Sequence, residues 1–129
     1  MTNRVKIETD KAPAAIGPYS QAIAHDGVLY CSGAIPLDAA GELVGEGDAT
    51  AQARQCLRNL EAVAEAGGGK LTEALQVTVY TTRLEEFPAI NEAYAEFFEE
   101  PPPARVTIGV SALPKGALVE ISALVPIER

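Results

Sequence analysis

Hydrophobic residues recur along this chain in two rhythms, and the switches between them lay out the elements. Leu75, Val77 and Val79 alternate with Gln76, Thr78 and Tyr80, the period-2 mark of a half-buried strand. Gln21–His25 and Val28–Gly33 are strand-like runs flanking Asp26-Gly27, a strong two-residue hairpin signal. After residue 48 the rhythm changes. Ala53, Leu57, Leu60 and Ala64 fall at i, i+4, i+7 and i+11, with Cys56 and Val63 widening the stripe, which predicts an amphipathic helix over Asp48–Ala66. Asp48 suits its N-cap and Gly67 its C′ position. A second helix is predicted over Phe87–Phe98, with Ile90, Tyr94 and Phe97 or Phe98 inward and Pro88 in its first turn. Pro101-Pro102-Pro103 ends it, and Val5–Ile7 makes a short first strand.

The closing stretch carries the densest pattern. Val106, Ile108 and Val110 alternate with Arg105, Thr107 and Gly109; Val119, Ile121 and Ala123 alternate with Glu120 and Ser122. Around Pro114-Lys115-Gly116 these read as an antiparallel hairpin, with Thr107 opposite Glu120 and Arg105 opposite Ser122. Directly opposite residues share a face. A guanidinium, a hydroxyl and a carboxylate would then stand together, a grip for a small carboxylate with an acid/base group beside it. The order β-β-β-α-β-α-β-β implies an α+β fold: a single mixed sheet with two helices packed on one face. Its other face is expected to carry Arg105, Thr107, Glu120, Gln76 and Thr78, and self-association would cover it.

Composition narrows the function. At 129 residues the chain is expected to form one domain over 1–129, and 47% apolar residues supply a core. With four Tyr, three Phe and no Trp, that core rests on Val, Leu, Ile and Ala. The net charge of −8, without a basic run, argues against nucleic-acid binding. No run is long enough for a transmembrane helix. The opening Met1-Thr2-Asn3-Arg4-Val5-Lys6 has no signal-peptide apolar region, so the expected location is the cytoplasm. Cys31 and Cys56 read as buried reduced thiols, and His25 as a turn residue; this inventory supports neither a standard zinc site nor a Ser-His-Asp or Cys-His arrangement. Gly67-Gly68-Gly69-Lys70 follows a helix rather than a strand and reads as a cap and turn, not a phosphate loop.

Taken singly, Arg105 reads as a surface arginine, Glu120 as a solvated strand charge and Asn91 as an exposed helix polar residue. Tyr19 reads as a ring packed on the sheet, Ser20 as a turn serine and Ser32-Gly33 as strand-exit residues. A structural salt bridge is the simplest account of Arg105 with Glu120.

Several stretches taken together resemble the Rid family, also called YjgF-like proteins. They are residues 12–22 (Ala-Pro-Ala-Ala-Ile-Gly-Pro-Tyr-Ser-Gln-Ala), Ser32-Gly33-Ala34-Ile35-Pro36, Ala51-Gln52-Ala53-Arg54-Gln55, Asn91-Glu92-Ala93-Tyr94, Pro103-Ala104-Arg105, and Leu113-Pro114-Lys115-Gly116 with Val119-Glu120-Ile121. The resemblance implies a chorismate-mutase-like homotrimer with a barrel-like core and ligand clefts between subunits. It implies hydrolysis of reactive 2-aminoacrylate- and 2-aminocrotonate-type enamines and imines to 2-keto acids and ammonia, with no metal, cofactor or covalent nucleophile. Carried onto this chain, it makes Arg105 the carboxylate clamp and Glu120 the group that holds water and moves a proton. It makes Tyr19, Ser32, Gly33, Asn91 and Thr107 the pocket lining. The partners implied are a small-molecule carboxylate substrate and two further copies of the chain.

The chain departs from the family pattern at three places. Pro101-Pro102-Pro103 shortens and stiffens the connection before Arg105, Ala34 stands where Gln is common, and Ser122 stands where a second Glu is common. Two other readings compete with the deaminase: a non-catalytic keto-acid-binding trimer, and a ribonuclease or chaperone role of the kind assigned to some relatives. The charge of −8 and the lack of a histidine pair weigh against RNA cleavage.

Overall fold

Asp26 and Gly27 take φ of 48° and 81°, the pair of positive values a type I′ turn needs, and His25 pairs with Val28 across them. This hairpin joins β2 (Ala22–His25) to β3 (Val28–Ala34), and β1 (Val5–Ile7) adds antiparallel to β2. The computed structural model describes residues 3–128; Met1 and Thr2 of the opening polar stretch, and Arg129 at the end of the expected 1–129 domain, lie outside the described residues.

The helix α1 (Ala49–Ala66) starts and ends on physical cues. The Asp48 carboxylate accepts the Ala51 N–H at 3.1 Å. Gly67 still bonds back to Val63 and Ala64 with φ of −90°, so the left-handed residue is Gly68 at 89°, one position later than expected. Gly67 is needed for a different reason: a Cβ there would lie 2.6 Å from a methyl of Leu29. Replacing Asp48 with alanine is expected to cost about 1 kcal/mol, read as a lower melting temperature with unchanged activity.

The remaining elements are β4 (Gln76–Thr81), α2 (Phe87–Ala95), β5 (Ala104–Gly109) and β6 (Val119–Pro126). They complete one six-stranded sheet in the order β1-β2-β3-β6-β4-β5. Only the β4–β5 pair is parallel among the described strands, and α2 supplies the crossover such a pair requires. The α+β reading and the element order therefore hold, with both helices contributing to one core. Leu57, Leu60, Ile90 and Ala93 pack with Val77, Val79, Ile121 and Val125, all of them essentially sealed from solvent.

The closing hairpin does not form. β5 and β6 are separated by β4, and Arg105 pairs with Val77 while Glu120 pairs with Tyr80. Residues 110–118 are a connection long enough to pass β4, and Pro114–Gly116 is a 3₁₀ turn with Lys115 at φ 60° rather than a hairpin apex. Register then fixes the faces. Arg105 and Thr107 lie on the side of Val77 and Val79, which is the helix side. Glu120 and Ser122 lie with Tyr80 and Thr78 on the other. The expectation that Arg105, Thr107 and Glu120 share a face is thus corrected: the arginine and the glutamate stand on opposite faces, two strands apart. On the face away from the helices, Tyr30, Val106 and Ile108 are exposed apolar residues. Among the described residues, no helix is long and apolar enough to cross a membrane.

Candidate active site

Helical spacing builds the first half of the site. Phe87, Asn91 and Tyr94 fall at i, i+4 and i+7 on α2, so their side chains rise on one face. The edge strand β5 lays Arg105 against that face. Its guanidinium carbon lies 4.9 Å from the Phe87 ring centre and 4.8 Å from that of Tyr94, within cation–π range. One guanidinium nitrogen, Nη1, donates to Asn91 Oδ1 at 2.6 Å. Thr107, two residues along, is half-buried on the same side. Arg105 itself is exposed, and no carboxylate pairs with it among the described residues. A guanidinium has five donors. With one given to Asn91, this one rests against two aromatic rings while keeping donors for an outside anion. The salt bridge to Glu120 does not exist.

The second half is a cavity of about 520 Å³ whose walls include Tyr19, Ser32, Gly33, Ile35, Lys115 and Glu120. A shift of register between Cys31 and Ala34, where β3 runs beside β6, puts a bulge at Ser32-Gly33. Ser32 Oγ donates to the Ser20 carbonyl at 2.6 Å, and Ser32 N–H to the Gln21 carbonyl at 2.9 Å, tying the bulge to the segment that carries Tyr19. Gln21 extends the tie. Its amide accepts from Thr9 N–H and donates to the carbonyls of Thr9 and Pro13, fixing the 12–16 wall. Tyr19 projects with 53% of its surface exposed, its hydroxyl accepting from Ile16 N–H at 3.3 Å.

Glu120 is half-buried, and loss of hydration pushes its carboxyl above the usual glutamate range. Gly33 makes its position possible, since a Cβ at 33 would collide with the Glu120 carboxylate. Gly33→Ala is therefore expected to swing the carboxylate aside and cut kcat/KM by about 100-fold, with the melting temperature little changed. Steady-state turnover beside a melting curve checks it.

The expected site residues thus fall into two sets. Arg105, Asn91 and Thr107 stand together at the β5 edge, while Tyr19, Ser32, Gly33 and Glu120 share the cavity, and one chain does not join the sets. Sequence reasoning missed Phe87, Tyr94 and Gln21 as parts of the site. The first two were visible as ring positions in helical register with Asn91; Gln21 lies in the 12–22 stretch that carries the resemblance, but nothing local announced its bonds to Thr9 and Pro13. Cys31 and Cys56 are free and buried, and burial pushes the Cys31 thiol up to about 11. Among the described residues, no group of three or more His, Cys, Asp or Glu side chains gathers as a metal site would need.

Against known proteins, residues 9–127 match a family model described as endoribonuclease L-PSP. RutC family protein y4sK of Sinorhizobium fredii is 47% identical over 119 residues, 92% of this chain and 94% of that protein. A 2-iminobutanoate/2-iminopropanoate deaminase of Dermatophagoides farinae is 42% identical over 122 residues, 95% of each. The crystal structure of E. coli TdcF with bound serine superposes with a TM-score of 0.89 at 37% identity, covering 96% of this chain and 99% of that one.

Proposed function

The chain belongs to the endoribonuclease L-PSP family, the YjgF-like or Rid proteins, and from that premise we propose that it is a cofactor-independent enamine/imine deaminase. One observation carries the reading: an exposed, ring-braced Arg105 with an open fork, and a desolvated Glu120 in a cavity of its own. The first is built to hold a carboxylate, the second to move protons. Because they lie on opposite faces of one sheet, a working site forms where the β5 edge of one copy meets the Glu120 cavity of another. The proposed assembly is a homotrimer of the whole 1–129 unit, burying the open apolar face that carries Tyr30, Val106 and Ile108.

In the proposed reaction Arg105 clamps the carboxylate of a 2-aminoacrylate-type enamine through two parallel N–H···O bonds. Protonated Glu120 delivers its proton to the terminal carbon, turning the enamine into an iminium. The resulting carboxylate takes a proton from water as that water attacks the C=N carbon. Glu120 returns that proton to the amine nitrogen; as the C–N bond breaks and the C=O bond of the keto acid forms, the carbinolamine hydroxyl proton passes to the Glu120 carboxylate, ammonia leaves and the carboxyl is protonated again. Loss of hydration raises the Glu120 carboxyl above the usual glutamate range, which favours the protonated form that starts the cycle. Imine hydrolysis is already fast in water, so orientation and proton transfer suffice.

The test is a serine or threonine dehydratase assay with the purified protein added. Faster appearance of pyruvate or 2-oxobutanoate is expected; an unchanged rate with the assembled wild type rejects the activity. The serine-bound relative favours one second reading, a trimer that holds small amino or keto acids without turning them over. Ligand-dependent thermal shift without rate acceleration would select it.

A further inference from the structure

Among the described residues, the Tyr94 hydroxyl is the one buried side-chain polar atom without a hydrogen-bond partner. The residue is 6% exposed. A hydroxyl taken from water and given nothing in return destabilises the fold, and phenylalanine would fill the same space without that loss. The ring alone does not explain the tyrosine, because Phe87 shows that a phenyl face bears the guanidinium as well, at 4.9 Å.

The surroundings point to a use for the oxygen. The Tyr94 ring packs on Phe98, with centres 4.6 Å apart, so its position is set from the core side. The Arg105 guanidinium rests over the same ring, 4.8 Å from its centre, so the fork and the phenol that carries the oxygen are direct neighbours. Asn91 occupies Nη1, leaving the fork's other donors for a second acceptor. Burial pushes the Tyr94 hydroxyl up, with the charge of Arg105 acting against it, so the phenol stays protonated and its oxygen keeps lone pairs to offer.

We propose that Tyr94 is a positioning residue for Arg105: when a carboxylate occupies the fork, the Tyr94 oxygen accepts a guanidinium N–H that Asn91 does not take and fixes the plane in which the fork meets its ligand. This rests on the reading that Arg105 grips a carboxylate. The buried hydroxyl is then unsatisfied in the empty protein and satisfied in the loaded one, which adds its hydrogen bond to the binding step.

Tyr94→Phe isolates the oxygen, since the ring, the stack and the packing remain. Wild type, Tyr94→Phe and Arg105→Ala are titrated with pyruvate by calorimetry and melted in parallel. Tyr94→Phe is expected to melt no lower than wild type and to bind pyruvate about tenfold more weakly, the scale of a hydrogen bond to a charged group. In the coupled assay the same variant is expected to raise KM and lower kcat, because the plane of the fork is felt in the transition state as well as in binding. An unchanged pyruvate Kd, or a lowered melting temperature, overturns the proposal while Arg105→Ala still loses binding. If Arg105→Ala itself binds pyruvate as wild type does, the carboxylate reading fails first and this inference fails with it.

Discussion

Arg105→Lys is expected to lose at least about 100-fold in kcat/KM in the dehydratase-coupled assay and to keep its melting curve. The loss follows from shape, not charge. A lysine ammonium is a point charge on a flexible stem, whereas the carboxylate is to be met by two parallel donors held in one plane. Phe87 and Tyr94 brace that plane and Asn91 anchors one corner of it. Lysine can reach the anion but not register it, and hydrogen bonds to charged groups contribute about 1.5–3 kcal/mol apiece. The defect should fall on KM and kcat together, because misorientation is felt in the transition state as well as in binding. Arg105→Ala should fall to the uncatalysed rate. The fold is spared because Arg105 lies exposed at the sheet edge and seals no part of the core. A Lys variant with wild-type turnover would mean that the fork is not the carboxylate clamp.

Glu120→Gln is expected to bind pyruvate as wild type does while turnover drops by about 10²- to 10⁴-fold, the usual range for losing a proton-transfer group. The amide keeps the size and the hydrogen-bonding oxygen but accepts no proton. The pH profile distinguishes this from a packing defect. In wild type the basic limb of the rate should follow the raised Glu120 carboxyl, with activity falling as pH rises through it, because the cycle starts from the protonated form. In Glu120→Gln that limb should vanish from the residual rate. Stability runs the same way. A carboxyl raised in the folded state holds its proton where the unfolded chain has lost it, so its stabilising contribution is full at low pH and disappears as pH rises through the folded value. The glutamine variant should therefore melt no lower than wild type at neutral pH. A stability loss there would make Glu120 a structural carboxylate.

Both variants concern residues that the sequence marked out and then misplaced, for a physical reason. Alternation in 105–109 and 119–123 was legible, as were the strands themselves, the Asp26-Gly27 turn and the capped helix after Asp48. Pairing was not. A strand's period says which residues share a side, and nothing local says which neighbour it will take or which side meets the helices. The turn-like Pro114-Lys115-Gly116 suggested a hairpin, but β6 entered between β3 and β4, and β5 took the edge. There its apolar set, Val106 and Ile108, turned away from the helices, and its polar set lay against α2. The cavity was unreadable for a related reason. Gly33 matters through a contact with Glu120 on a strand far along the chain, and the Gln21 tie joins segments whose nearness only the folded sheet creates. Resemblance named the candidate residues; it could not say how one chain divides them.

That division shapes how damage spreads under the proposed assembly. A chain altered at Arg105 spoils the cleft to which it lends its β5 edge, yet still offers an intact Glu120 to the next copy. A chain altered at Glu120 does the reverse. Where two such copies adjoin in one order both lesions fall in their shared cleft, and in the other order neither does, so two dead chains can share a live site. Inheritance of the defect thus follows the circuit of neighbours rather than the single polypeptide.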